Sequence, residues 1–197
     1  FERWYALELL SGRHLLTECG CLNIGLPTSE IVLGVQASAT AHQLAIETLS
    51  ATELQQRFPA FRVPSNFVGV LEREAGFLAV EACVQAYLEQ AQAHGANIHS
   101  EEPVVLWQSN GKTVTVTTTK GTYHASSLVL TAGGWAGQLL GEAGKKLRVM
   151  RQVQCWFGAS KPDQFLRDVF PAFIAATPFG HFYGLPAIDW RGPKVAK

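Results

Sequence analysis

The segment with the clearest chemical potential is Leu128-Val-Leu-Thr-Ala-Gly-Gly-Trp-Ala-Gly137, an apolar run that delivers the chain to a glycine turn. The amides of such a turn face the N-terminus of the helix that follows. They can hold a cofactor's phosphate or ring edge, or they can form a tight strand-to-helix connection with no ligand, and the spacing leaves both readings open. No Gly-x-Gly-x-x-Gly fingerprint occurs in the chain. Other chemistries lack their spacing. The histidines at 14, 42, 94, 99, 124 and 181 show no His-x-x-x-His or His-Glu-x-x-His pattern, so no metal site is expected. No Gly-x-Ser-x-Gly elbow marks a serine nucleophile. Glu101-Glu102 and the Glu72, Glu74 pair read as solvated edges rather than paired catalytic acids. Cys19, Cys21, Cys83 and Cys155 are too few and scattered for a disulfide framework and read as buried free thiols, with Cys19 and Cys21 on one face if both lie in a strand.

The elements that must position these residues are legible from periodicity. Trp4, Leu7 and Leu10 mark a helix from Phe1 to about Gly12, and residues 15–24 read as a strand. Ser29 caps a helix running through Leu44, and Ser50-Ala-Thr-Glu53 is a capping box that starts a short helix ended by Pro59. Residues 68–72 form a strand, and Glu74-Ala-Gly76-Phe77 reads as a loop between layers. Val80, Val84, Tyr87 and Ala91 line a helix that Gly95 terminates. Ile98, residues 104–107 and residues 113–119 are rich in β-branched residues, with Asn110-Gly111 forming a hairpin turn. Ser127-Leu-Val-Leu-Thr131 reads as a buried strand of the parallel type. After Gly144, strand patterns at 148–157, 173–176 and 181–185 suggest an antiparallel sheet, and Pro193-Lys194-Val195-Ala196 reads as a strand being entered. The fold class expected is α+β, an α/β layer plus an antiparallel sheet.

Bulk properties narrow the function. The 197 residues are enough for one large or two small domains, and 47% hydrophobic against 16% charged residues describes a folded globular chain. Sixteen basic and sixteen acidic residues give zero net charge with no basic block interleaved with aromatics, so nucleic acid is not an expected partner. The longest apolar stretch is broken by Gly133, Gly134 and Gly137, so no membrane span is expected. Without a secretory signal, the expected compartment is the cytoplasm. The chain starts without Met inside a helical pattern and stops inside a strand pattern, and both ends read as cut.

In order along the chain stand Gly76-Phe77 before a helix, Gly95-Ala96-Asn97-Ile98 after it, a hairpin, Val129-Leu-Thr-Ala-Gly-Gly-Trp135, Arg151-Gln152, Phe182-Tyr-Gly-Leu-Pro186 and Gly192-Pro193-Lys194. In that order they resemble the monomeric sarcosine oxidases and the related N-methyltryptophan and pipecolate oxidases, within the FAD-dependent D-amino-acid-oxidase-like fold. The resemblance covers essentially the whole chain. It implies that residues 1–74 and 144–197 belong to a substrate domain and 75–143 to part of an FAD-binding domain. It implies that Val104 meets the adenine end of FAD and that Ala132, Gly133 and Trp135 lie against the cofactor. Lys194 is similar to the family lysine beside the flavin ring, which helps reduced flavin react with oxygen. Tyr183 aligns with a tyrosine over the substrate pocket, while Arg151-Gln152 matches a pair that fixes the strand near the flavin. The implied activity is oxidation of a small secondary amine, an N-methyl or cyclic amino acid, to an imine with release of hydrogen peroxide. A dehydrogenase of the same fold and a non-catalytic binding module descended from it are the alternatives.

The departures bear on the cofactor. The family's opening strand, glycine-rich turn and helix, which hold the FAD pyrophosphate, have no counterpart in these residues. None of the four Cys matches the flavin-linking position. Each missing charge-assisted contact to a phosphate is worth ~1.5–3 kcal/mol, so this chain is expected to bind FAD weakly or not at all and to be inactive alone, as an internal fragment. Unpaired sheet edges favour self-association into a homodimer.

Overall fold

A computed structural model describes all 197 residues. In chain order the regular elements are α1 (Glu2–Ser11), β1 (Leu16–Glu18), β2 (Cys21–Gly25), α2 (Glu30–His42), β3 (Ile46–Ser50), α3 (Ala51–Arg57), β4 (Val68–Glu72), β5 (Gly76–Leu78) and α4 (Val80–Ala93). There follow β6 (Val104–Ser109), β7 (Val114–Thr118), β8 (Thr122–Ala125), α5 (Ala136–Leu139), β9 (Gln154–Trp156), β10 (Ala172–Thr177), β11 (Gly180–Leu185) and β12 (Lys194–Ala196). Contacts divide the chain into two compact units, residues 1–91 with 152–197, and residues 92–151.

The first unit is built on a seven-stranded sheet in the order β3-β4-β2-β10-β11-β12-β9. Every pairing is antiparallel except β2 with β10, so the sheet is mixed rather than purely antiparallel. Opposed residues in a ladder share a face. Leu22, Ile24, Leu49 and Leu71 therefore point to one side, where they form a core with Leu54 of α3 and with Phe58, Phe61, Phe67 and Phe170. The Ser50 hydroxyl accepts from the Glu53 amide at 3.3 Å while the Glu53 carboxylate accepts from the Ser50 amide at 2.8 Å, the reciprocal box the sequence predicts.

Residues 15–24 are two strands rather than one. Gly20 takes φ +78° and donates its amide to Ala75 O at 2.7 Å, so β1 leaves the main sheet to pair with β5. The expected sharing of one strand face by Cys19 and Cys21 fails for this reason. Pairing with β1 also makes residues 76–78 a strand rather than the expected loop. Leu7, Leu15, Cys83 and Ala86 form a second cluster that joins α1 to α4, supported by an Arg13–Glu89 pair (Nη2 to Oε1, 2.8 Å). Residues 75–91 are thereby tied by contacts to the first segment of the chain. The 148–157 strand is limited to residues 154–156, because β12, its ladder partner, is three residues long.

The second unit contains the antiparallel sheet β6-β7-β8 and α5. Asn110 Oδ1 accepts from the amides of Lys112 and Thr113 at 2.9 and 2.8 Å, and Gly111 takes φ +85°, which closes the hairpin. Residues 127–131 are not a strand, and Val129 is 82% exposed. A buried parallel strand needs a neighbouring strand with a free edge, and in this unit the run has no ladder partner. Ile98 likewise lies outside any strand.

Candidate functional site

Tyr183 and Lys194 come together through sheet register. In the β11–β12 ladder Tyr183 opposes Ala196 and Leu185 opposes Lys194, and in the β12–β9 ladder Ala196 opposes Gln154 and Lys194 opposes Trp156. Tyr183, Lys194, Gln154 and Trp156 therefore project from one face of the sheet, opposite to the phenylalanine core. Ala196 is small enough for Gln154 Nε2 to reach across β12 and donate to the Tyr183 hydroxyl at 3.4 Å. A Cβ on Gly184 would lie 2.3 Å from Phe173 Cε1 and 2.7 Å from Lys194 O, so only glycine lets β11 approach its neighbours here.

Two cations lie over the Trp156 indole, Arg191 with its guanidinium carbon 4.8 Å and Lys194 with its Nζ 5.6 Å from the ring centroid. Arg191 is held by Asp189 through Nε to Oδ1 at 2.9 Å and Nη2 to Oδ2 at 2.6 Å. That hydrogen-bonded arginine, with a further bond from its backbone amide, pulls the Asp189 carboxyl down to about 2, and the carboxylate raises Arg191 in turn. Periodicity did not single out Gln154, Trp156, Asp189 or Arg191. The signal available was the two-residue alternation of Gln154 and Trp156, which puts both on the face that carries Lys194.

A cavity of about 590 Å³ in the first unit lies on the other side of the sheet. Phe61, Phe67, Phe165, Phe170 and Phe173 line it, together with Val195, which alternates with Lys194 along β12. It is separated from Tyr183 and Lys194 by the sheet itself, so the polar chemistry and the apolar cavity belong to opposite faces.

The candidate cofactor-side residues Val104, Ala132, Gly133 and Trp135 fall in the second unit. Val104 begins β6 and is 41% exposed. Ala132, Gly133 and Trp135 form a 3₁₀ turn leading into α5, with Trp135 N donating to Ala132 O at 3.0 Å and the Trp135 side chain 70% exposed. Gly133 takes φ +53° and has open space where a Cβ would stand. The Trp107 indole donates to Leu139 O at 2.7 Å and so ties β6, which carries Val104, to the helix after the glycine turn. That link has no local sequence signal. Arg151 and Gln152 are exposed and precede β9, and they straddle the boundary between the units.

A mixed sheet bearing a lysine and a tyrosine on one face, with a separate three-stranded sheet, glycine turn and short helix, defines a class that comparison with known proteins makes specific. The family described as "DAO: FAD dependent oxidoreductase" matches residues 1–192, and the chain belongs to that family. Monomeric sarcosine oxidase from Streptomyces avermitilis is 35% identical over 205 residues, covering 100% of this chain and 52% of the relative. N-methyl-L-tryptophan oxidase from Salmonella typhi is 34% identical over 185 residues, covering 93% and 49%. Among solved structures, the open form of NikD, an amino acid oxidase of nikkomycin biosynthesis, superposes with a TM-score of 0.73 at 25% identity, covering 100% of this chain and 52% of NikD. L-proline dehydrogenase from P. horikoshii shares the fold, with a TM-score of 0.74 at 16% identity and coverage of 99% and 52%. The expected α+β, D-amino-acid-oxidase-like fold is thus the observed one. The chain spans about half the length of the relatives it matches. No helix is long and apolar enough to cross a membrane.

Proposed function

We propose that this chain is the central portion of a flavin-dependent oxidase of secondary amines, acting on a small N-methyl or cyclic amino acid in the cytoplasm. The observation that carries the proposal is the placement of Lys194 and Tyr183 on one sheet face, in a chain 35% identical along its whole length to a sarcosine oxidase.

When bound, FAD supplies the redox chemistry, taking two electrons from the amine and passing them to O₂. Lys194 supplies a fixed positive charge where negative charge develops as oxygen is reduced, and such a charge acts more strongly in a water-poor site than in bulk water. The Tyr183 hydroxyl, already accepting from Gln154, is left with its own proton to donate to a substrate carboxylate. Two hydrogens leave the amine and end on oxygen as hydrogen peroxide, and water hydrolyses the imine that remains.

For the cofactor, the open space beside Gly133 and the exposure of Trp135 and Val104 fit a group lying against the turn and β6. Residues 75–143 then form part of the FAD-binding domain, and 1–74 with 144–197 form the substrate domain. The phosphates do not find a comparable place. The helix after the turn has four residues, and no Gly-x-Gly-x-x-Gly precedes any helix. The 197 residues alone therefore bind FAD weakly or not at all. The open edges of β3 and β9 favour a homodimer of the isolated chain.

The test is oxygen uptake and peroxide release by the protein at the full length of its relatives, with sarcosine, N-methyltryptophan and pipecolate as substrates. One peroxide per amine consumed supports an oxidase. Amine oxidation that reduces an added dye and leaves oxygen untouched makes it a dehydrogenase, and no turnover of any secondary amine overturns the proposal.

A further inference from the structure

We propose that Trp156 is a positioning residue that fixes the Lys194 ammonium over its indole face, with the Asp189–Arg191 pair removing the competing charge. The inference rests on the role given to Lys194 above.

Lys194 and Trp156 are direct partners in the β12–β9 ladder, so their side chains leave the sheet side by side on the same face. A lysine carries its charge on a flexible four-carbon stem, and a charge that must act at one place needs something to hold it. The salt bridges of the chain give Lys194 no carboxylate. What it has is the indole, 5.6 Å from Nζ to ring centroid, within the range at which the ring's negative face attracts a cation. A carboxylate in the same position would hold the ammonium too, but it would cancel the positive charge that the reaction uses. An aromatic ring holds the cation and leaves its charge intact.

Arg191 lies over the same indole at 4.8 Å and would repel Lys194 if it stood alone. Asp189 prevents this by accepting from both Nε and Nη2 of Arg191. The pair is close to neutral, and the uncompensated charge at the ring belongs to Lys194. The turn from Asp189 to Gly192 that carries the pair leads directly into β12, with Gly192 N donating to Asp189 O at 3.2 Å. The pair and Lys194 are therefore set by one local structure.

The first measurement needs no flavin. Lysines of the 197-residue chain are ¹³C-methylated reductively, which keeps their charge, and the Lys194 resonance is assigned by its absence in Lys194→Met. An indole beneath the ammonium shifts that resonance upfield of the other lysines. Trp156→Leu, which keeps apolar bulk without a ring, removes the shift, and Trp156→Phe retains part of it. A wild-type Lys194 resonance among those of the other lysines overturns the proposal.

The second measurement uses the flavin-loaded protein at the full length of its relatives. Trp156→Leu slows flavin reoxidation about two- to five-fold, the scale of one partly exposed cation–π contact, and Trp156→Phe restores most of the rate. Equal rates in the Leu and Phe variants overturn the positioning role. If Lys194→Met leaves reoxidation unchanged, the role of Lys194 falls instead, whatever the resonance shows.

Discussion

The indole N–H of Trp107 donates to the carbonyl of Leu139 across 2.7 Å, joining a strand of the β6-β7-β8 sheet to the helix that follows the Gly133 turn. Residues 127–131 form no ladder, and this bond ties the helix after the turn to the sheet. Trp107→Phe keeps the ring and removes the donor, leaving a carbonyl without its partner. The expected cost is ~0.5–1.5 kcal/mol, read as faster hydrogen exchange in β6–β8 with little change in β2, β4 or β10. Uniform loss of protection in both units would contradict a local tether.

Ser50 closes β3 and caps α3, whose Leu54 is fully buried against the sheet. Ser50→Ala removes one acceptor from the first turn and should lower stability by ~0.5–2 kcal/mol. Urea denaturation reads the difference, and Ser50→Asp, which keeps an acceptor at the cap, recovers most of it.

The thiols differ in reactivity because their surroundings differ. Burial pushes the Cys21 thiol up to about 11, with the facing Glu72 and the neighbouring Cys19 adding to the effect, while Cys155 is exposed on edge strand β9. The thiolate is the reactive form. Iodoacetamide at pH 8 should therefore modify Cys155 well before Cys21 and the buried Cys83, as followed by peptide mass spectrometry. Early labelling of Cys21 in the folded chain would contradict the packing of β2 between β4 and β10.

Glu8 holds the start of β1. Its carboxylate accepts from the amides of Leu16 and Leu15 at 2.9 and 2.6 Å, and those bonds, Leu16 first, hold its pKa below the usual carboxylate value. A carboxylate whose folded value is depressed stabilises the fold fully above its unfolded value and loses that contribution as pH falls through the folded one. The stability gap between wild type and Glu8→Gln should thus be present at pH 7 and close below about pH 4. A gap independent of pH would show that the charge plays no part.

Local chemistry is what the sequence displays best. The Ser50–Glu53 box, the Asn110 turn and the Gly12 helix end each involve residues within four positions, and each is found as read. Pairing across long separations is not displayed. Nothing near residue 22 announces Phe173, its parallel partner in β10, and β3 lacks an alternation strong enough to mark it. Residues 127–131 show the reverse limit, since their apolar pattern describes the partner a strand requires without supplying one. At the candidate site Tyr183 and Lys194 were legible through family resemblance. Trp156 and the Asp189–Arg191 pair emerged only when the register of β9, β11 and β12 was known.

Lys194 is the residue on which the proposed oxidase chemistry depends, and the most direct measurement of its role separates the two halves of the reaction. In stopped-flow experiments on the flavin-loaded protein at the full length of its relatives, Lys194→Met is predicted to slow reoxidation by O₂ far more than anaerobic reduction by the amine. Wild-type rates in both halves would contradict it.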